Sequence, residues 1–189
     1  MLEGYYEVEE LRKMGIAKFG EDVLISRKAS LYMTDKMEFG NHVRVDDFCH
    51  LSGKIKIGNN VHIAPYVNLV GGNAGIIIED FCGVSAKGSV YAITDDYSGK
   101  ALTNPTIPDK YKAVEQETVI LNKHALIGAG SVILPGVIVG EGTSVGAMSL
   151  VNRSLDSWGM YVGIPCKKIS DRKKDLLKFE EEYKREYLM

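Results

Sequence analysis

Read down every sixth position from residue 119 to 152, the chain repeats itself: Leu121, Ile127, Ile133, Val139, Val145 and Val151 are all aliphatic. Two residues before each stand Val119, Ala125, Ser131, Val137, Thr143 and Ser149, nearly all small or β-branched. The same period recurs upstream in triplets: Phe19, Ile25 and Leu31; Phe39, Val45 and Leu51; Ile57, Ile63 and Leu69; Ile78, Val84 and Val90. Within a unit the two marked residues point to one side, because strand side chains alternate. A β-sandwich alternates too, but it does not hold a period of six across some thirty residues. Each unit is therefore predicted to be a short strand with a corner, three to a coil, stacked into an all-β solenoid of about six coils. Glycine follows Ile127, Val139 and Val145, which predicts a sharp turn there at positive φ. Between triplets the register slips at residues 35–36 and 71–75, marking small corner loops.

The pattern fails at both ends and once in the middle. Residues 5–14 read as a short helix, with Leu11 and Met14 on one face and Gly15 as its stop. Residues 170–188 read as a second helix, striped by Leu176, Phe179, Tyr183 and Tyr187. Both suit caps over the open ends of a solenoid. The repeat stops after Val90 and resumes at Val119, leaving a loop with Pro105, Pro108, Gly99 and the pair Asp95–Asp96. A loop that long inside a compact domain is a functional candidate. The chain thus divides as one domain, 1–189: cap 1–16, coils 17–90, loop 91–118, coils 119–169 and C-terminal helix 170–189.

Composition narrows the function. A net charge of −2, with both signs spread along the chain, offers no nucleic-acid surface. No apolar run approaches the ~20 residues of a membrane span. The N-terminal residues carry acids where a secretory leader carries a basic start and an apolar stretch. Cys49, Cys82 and Cys166 are odd in number and scattered, favouring neither disulfides nor zinc, so a cytoplasmic protein is expected.

The hexad register, the long loop and the closing stretch GIPCKKI (163–169) resemble the hexapeptide-repeat acyltransferases of the galactoside and maltose O-acetyltransferase group. The stretch IGNNVHIAP (57–65) is similar to that group's coil before its loop. The resemblance implies a left-handed β-helix, a homotrimer with sites at subunit interfaces, and acyl-CoA as cosubstrate without a metal. It also breaks at one point. Those O-acetyltransferases carry a catalytic histidine in the loop, whereas residues 91–118 contain none. ITDDYSGK (93–100) and TNPTIP (103–108) look closer to acyltransferases of nucleotide-linked amino sugars, such as the anthrose-pathway N-acyltransferases of dTDP-4-amino-4,6-dideoxyglucose. The chemistry agrees. A hydroxyl needs a well-placed base to attack a thioester, while an amine needs only to be uncharged and then to lose one proton. The expected function is N-acylation of a nucleotide-linked amino-deoxy sugar, with O-acetylation of a sugar hydroxyl as the alternative.

Candidate residues follow. Asp95, with Asp96 beside it, is expected to orient or deprotonate the amine, and Ser85 to hydrogen-bond the amine or the oxyanion. Tyr97 and Asn104 are candidates for the sugar, and Tyr32 or Tyr66 for the base. Small residues at Gly128, Ala129, Gly146 and Ala147 let a pantetheine arm run close to the strands. Pro165, Lys167 and Lys168 then fall near the adenosine end, where a lysine meets phosphate as a point charge. Arg153 and Lys123 are weaker candidates, and Trp158 either flanks the adenine or packs the cap. His50, His62 and His124 are alternative bases, His62 and His124 expected on outer faces, with His42 in a corner loop. A zinc hydratase on the same fold needs further histidines at spacings held here by Val119 and Ala129. An ice-binding surface needs threonine ladders that the sequence lacks.

Overall fold

The computed structural model describes residues 4–187. It is a parallel-strand, left-handed β-helix of about seven turns, one more than the sequence register counts. Its strands are two or three residues long wherever the hexads are regular. Each pairs in parallel with its equivalent one coil away, as in the run Leu24–Ile25, Arg44–Val45, His62–Ile63, Gly83–Val84, Leu126–Ile127 and Ser144–Val145. The inward aliphatics of this run, Ile25 through Val145, are all buried. Each contributes about 1.5–3 kcal/mol by leaving water. The small residues two positions earlier are buried as well, and the polar ones are satisfied. Thr143 Oγ1 donates to Asp156 O (2.6 Å) and Ser149 Oγ to Gly146 O (2.8 Å).

The extra turn is partial and begins with Leu155, which bridges Val139, and Tyr161, which pairs with Val145. Leu155 follows Val151 by four residues rather than six, so a strict six-residue register misses it. Of the two slips, residues 34–36 form a 3-10 turn. The second is a bulge, where the continuous strands His50–Ile57 and Asn68–Ile78 pair with a shifted register.

The corners turn elsewhere than expected. Positive φ falls three residues after the inward aliphatic, at His42, Phe48, Asn60, Tyr66, Phe81, Lys87, His124, Met148 and Trp158. The glycine directly after the aliphatic has a different reason to be there. A Cβ on Gly128 would stand 2.5 Å from Ala147 N and 2.7 Å from Val145 O. Coils stack too closely at that point for any side chain.

Helix α1 (Val8–Lys13) covers the first coil and buries Leu11. It is shorter than the helix 5–14 the sequence suggested, and residues 1–3 of the 1–16 cap lie outside the described residues. At the other end the predicted helix 170–189 divides. Cys166–Asp171 is a strand antiparallel to Gly159–Gly163, and only Leu176–Tyr187 is helix (α2), with residues 188 and 189 outside the described residues. No helix among the described residues is long and apolar enough to cross a membrane.

Candidate active site

Three hexads to a coil give the solenoid three corners, and each carries a different cargo. The first follows Val45, Ile63, Val84, Ile127, Val145 and Tyr161, and holds Ser85. Backbone hydrogen bonds stack it coil on coil: Ala64 N to Val84 O (3.0 Å), Ser85 N to Ile127 O (2.9 Å), Gly128 N to Val145 O (2.8 Å) and Gly146 N to Tyr161 O (2.7 Å). Ser85, Gly128–Ala129 and Gly146–Ala147, chosen from three separate hexads, thus form one column. The column runs on into Val162, Gly163, Ile164 and Pro165. Ala129, Ala147, Ile164 and Pro165 are exposed, so this edge is a strip of small and apolar residues open along its length. Lys167 and Lys168 lie on the strand leaving its far end. Lys168 is taken up by Asp171 (2.7 Å), whose carboxylate raises the Lys168 pKa, whereas Lys167 makes no ion pair among the described residues. The Ser85 hydroxyl makes no hydrogen bond among the described residues.

Upstream of Ser85 the same corner becomes aromatic and charged. Phe48 and Tyr66, both about half exposed, stack with ring centroids 5.0 Å apart. Tyr66 N donates to Asp47 O and Lys87 N to Pro65 O, each at 3.0 Å, which sets Phe48, Tyr66 and Lys87 on successive coils. The sequence reading named Tyr66 but missed Phe48 and Lys87. Their signal is the corner position three after the aliphatic. Tyr32 lies on another side, against His50 (5.4 Å).

The second corner carries the loop. It leaves on the strand Ile93–Thr94, antiparallel to Glu115–Gln116, and Gln116 Oε1 accepts from Asn73 N (2.8 Å). Asp95 is half buried at the loop's base, where Oδ2 accepts from Asn104 N (3.3 Å). Asp96 serves the loop itself, accepting from Ser98 N (2.8 Å), Ser98 Oγ (3.0 Å) and Lys100 N (3.1 Å). The Ser98 hydroxyl leads in lowering its pKa. The Asn104 carboxamide oxygen likewise holds Thr106 N (3.0 Å) and Oγ1 (2.6 Å), while Tyr97 projects into solvent, 92% exposed. Ser85 and Asp95 therefore stand at opposite ends of the strand Ser89–Tyr91. No hydrogen bond among the described residues joins the loop to the Ser85 corner.

Helix α2 occupies the third corner, the column Asn60, Phe81, His124, Gly142 and Trp158. His124 turns outward from the solenoid as expected, but it is not a surface group, because α2 covers it. It is buried, stacked on Phe81 (5.3 Å), with Nε2 2.7 Å from Glu180 Oε2. Lys123 and Lys184 also hold Glu180, and Tyr183 Oη donates to Asn60 Oδ1 (2.9 Å). Burial alone would raise the Glu180 carboxyl, but hydrogen bonds from Lys123, Lys184 and His124 outweigh it and hold the group at about 2. The packed face is Leu176, Glu180 and Tyr183. Phe179 and Tyr187, predicted in the apolar stripe, are mostly exposed. Trp158 packs here, with Lys174 Nζ 5.1 Å from its ring.

The other histidines are tied down. His62 Nε2 lies 2.7 Å from Asp46 Oδ2, a buried carboxylate that also accepts from Arg44 Nε (2.6 Å) and Tyr5 Oη (3.1 Å). His50 Nδ1 pairs with Asn68 Oδ1 (2.7 Å), and His42 with Asp22 (3.2 Å). His62 pairs in register with Gly83, so it is the histidine nearest Ser85 along the strands.

Comparison with known proteins accords with this architecture. The model of the bacterial transferase hexapeptide family (six repeats) matches residues 118–153. The dTDP-4-amino-4,6-dideoxy-D-glucose acyltransferase of Escherichia coli is 40% identical over 183 residues, 95% of each chain. A solved structure of AntD, an N-acyltransferase from Bacillus cereus in complex with dTDP and 3-hydroxybutyryl-CoA, is 49% identical with a TM-score of 0.96 over the full length of both chains. A serine variant of AntD, solved with dTDP-4-amino-4,6-dideoxyglucose and coenzyme A, gives 0.95 at 49% identity, covering 98% of this chain and all of that one. With that likeness running through the coils, the loop and the closing motif alike, the chain belongs to the hexapeptide-repeat acyltransferases, in the group of the dTDP-4-amino-4,6-dideoxyglucose acyltransferases.

Proposed function

We propose that the chain transfers an acyl group from acyl-CoA to the amine of dTDP-4-amino-4,6-dideoxyglucose or a close nucleotide-linked relative. The observation that carries this is the full-length likeness to an N-acyltransferase solved with dTDP and 3-hydroxybutyryl-CoA. Coenzyme A lies along the Ser85 corner, its pantetheine arm on Gly128, Ala129, Gly146 and Ala147, and its phosphates toward Pro165, Lys167 and Lys168. The uncharged amine attacks the thioester carbonyl carbon. The tetrahedral oxyanion then collapses, the C–S bond breaks, and the nitrogen's extra proton leaves through the Asp95 carboxylate. Ser85 hydrogen-bonds the amine or the oxyanion.

In AntD a serine and an aspartate ten positions apart have each been replaced, and Ser85 and Asp95 share that separation. Asp96, Tyr97 and Asn104 shape the loop around the sugar. Because Ser85 and Asp95 leave from different corners, the reading requires a homotrimer in which one subunit's loop meets a neighbour's Ser85 corner. Three buried free thiols suit a reducing cytoplasm, where we place the enzyme. O-acylation is disfavoured by a loop without histidine.

The test is thiol release from acetyl-CoA and 3-hydroxybutyryl-CoA, with dTDP-4-amino-4,6-dideoxyglucose, a UDP-linked 4-amino sugar and amine-free galactosides as acceptors. Turnover confined to the nucleotide amino sugars is expected. Asp95→Ala is expected to lower kcat on the order of 100-fold or more. Release with plain galactosides, indifferent to Asp95, would refute the reading and turn attention to His62.

A further inference from the structure

We infer that Gly83 is a notch through which the acyl chain of the thioester passes from Ser85 into the groove beside α2, so that the donor carries a chain longer than acetyl. The inference rests on the proposed transfer from acyl-CoA and adds where the chain goes.

The outward row of the sheet that leads into the Ser85 corner is Leu24, Arg44, His62, Gly83, Leu126, Ser144 and Met160, paired in register from coil to coil. Every member but Gly83 carries a side chain. The fold does not ask for this glycine. Its φ is not positive, so no turn requires it. A Cβ there would meet only Leu126 Cδ1 among the described residues, at 3.4 Å, an ordinary contact. Gly128, by contrast, has backbone 2.5 Å from the same point. The row is therefore open at one place, between His62 and Leu126, and Ser85 is two residues further along the chain.

The notch opens into a groove of about 510 Å³ whose lining includes Phe81, Gly83, Leu126, Leu176, Phe179 and Tyr183. Leu126 is 43% and Phe179 67% exposed, and neither belongs to the buried core, so packing of the solenoid does not account for them. The charged groups of the groove are already engaged. Glu180 is held by Lys123, His124 and Lys184, and Arg172 Nη1 donates to His124 O (2.9 Å) and Gly142 O (3.0 Å). An apolar lining with its charges engaged suits an uncharged aliphatic chain. The pantetheine arm reaches Ser85 along the corner, so a chain continuing past the carbonyl has to leave that corner. The notch is the opening in the adjoining sheet.

The experiment measures kcat/KM for acetyl-CoA, butyryl-CoA and 3-hydroxybutyryl-CoA at fixed acceptor. Calorimetry gives the affinity of each thioester without acceptor, and sedimentation checks assembly. The wild type is expected to prefer the four-carbon donors. Gly83→Val should lower the ratio of four-carbon to acetyl kcat/KM by roughly 10- to 100-fold. Gly83→Ala, whose Cβ has room, should lower it several-fold and reads the same ratio if the valine variant does not fold. Phe179→Ala should also lower it several-fold. A wild type that prefers acetyl-CoA would overturn the inference, as would Gly83 variants whose ratios stay within twofold of the parent. Equal losses for all three donors with a changed assembly would overturn it too, by making the groove a subunit contact. Four-carbon thioesters that bind more tightly than acetyl-CoA, and lose this advantage in Gly83→Val, would uphold the chain's path even if no amino sugar were acylated. That pattern would place the failure in the acceptor assignment alone.

Discussion

Helix α2 is fastened by one buried carboxylate, which makes its attachment pH-dependent in a direction fixed by the structure. Glu180 sits on the packed face between Leu176 and Tyr183, its side chain 4% exposed, facing Lys123 and His124 from the solenoid and Lys184 from its own helix. Its pKa is about 2 in the folded chain against 4.5 as a free side chain. At ~1.4 kcal/mol per unit this is worth about 3 kcal/mol of folding stability. A depressed carboxylate stabilises fully above its unfolded pKa, so the contribution is intact at neutral pH. It is lost as pH falls from 4.5 toward 2, at about 1.4 kcal/mol per unit. Glu180→Gln keeps the shape and removes the charge. Urea unfolding at fixed protein concentration should show the variant about 2–3 kcal/mol less stable at pH 7, with the gap closing as pH drops below 4.5. A gap that stays constant from pH 7 to pH 3 would refute the electrostatic account and leave packing as the cause. Other carboxylates titrate in the same window, but they do so in both proteins and cancel in the difference.

Two more predictions concern the solenoid itself. Gly128→Ala should cost on the order of 2 kcal/mol in denaturant unfolding, because its Cβ would press against the next coil's backbone; an unchanged midpoint would show that the coils can spread. The Cys49 and Cys82 thiols are pushed by burial to about 11 and about 12, and burial also raises Cys166. An aromatic disulfide reagent at pH 8 should therefore titrate the three thiols only after unfolding, and one rapid equivalent in the native protein would contradict this.

Period six made the interior legible, since the inward aliphatics from Ile25 to Val151 could be named and all but the partly buried Leu31 are buried. It also made the column of small residues legible, because residues eighteen apart share a corner, as Gly128 and Gly146 do. Three things escaped it for physical reasons. The last turn enters after a four-residue step, and hydrophobic pattern alone cannot distinguish a shifted coil from an ended one. The face of α2 is built around a glutamate, so an apolar stripe pointed to Phe179 and Tyr187 instead. The glycines were assigned to turning when their task is to let backbones approach, a distinction that appears only once neighbouring coils are stacked. The separation of Ser85 from Asp95 was within reach, because counting hexads in threes sets them on different corners.

That separation has a consequence testable without a structure of the assembly. If Ser85 and Asp95 of one site came from one chain, a chain lacking either would be inactive in any company. If one subunit's loop serves its neighbour's Ser85 corner, two inactive chains can complete each other. Mix Ser85→Ala and Asp95→Ala protomers equally in random trimers. A site then works wherever an intact Ser85, half the chains, meets an intact Asp95 from the neighbour, also half. About a quarter of the sites should be whole, in a simple count over a cyclic assembly. Co-expression with two different affinity tags, followed by tandem purification, isolates trimers that contain both chains and raises that fraction to about a third. Activity recovered to this order, from homotrimers that each retain little, would assign the two residues to different subunits. Activity no higher than either variant alone would put both in one chain. The loop would then have to fold back across the Ser89–Tyr91 strand, an arrangement that nothing in its present hydrogen bonding prepares.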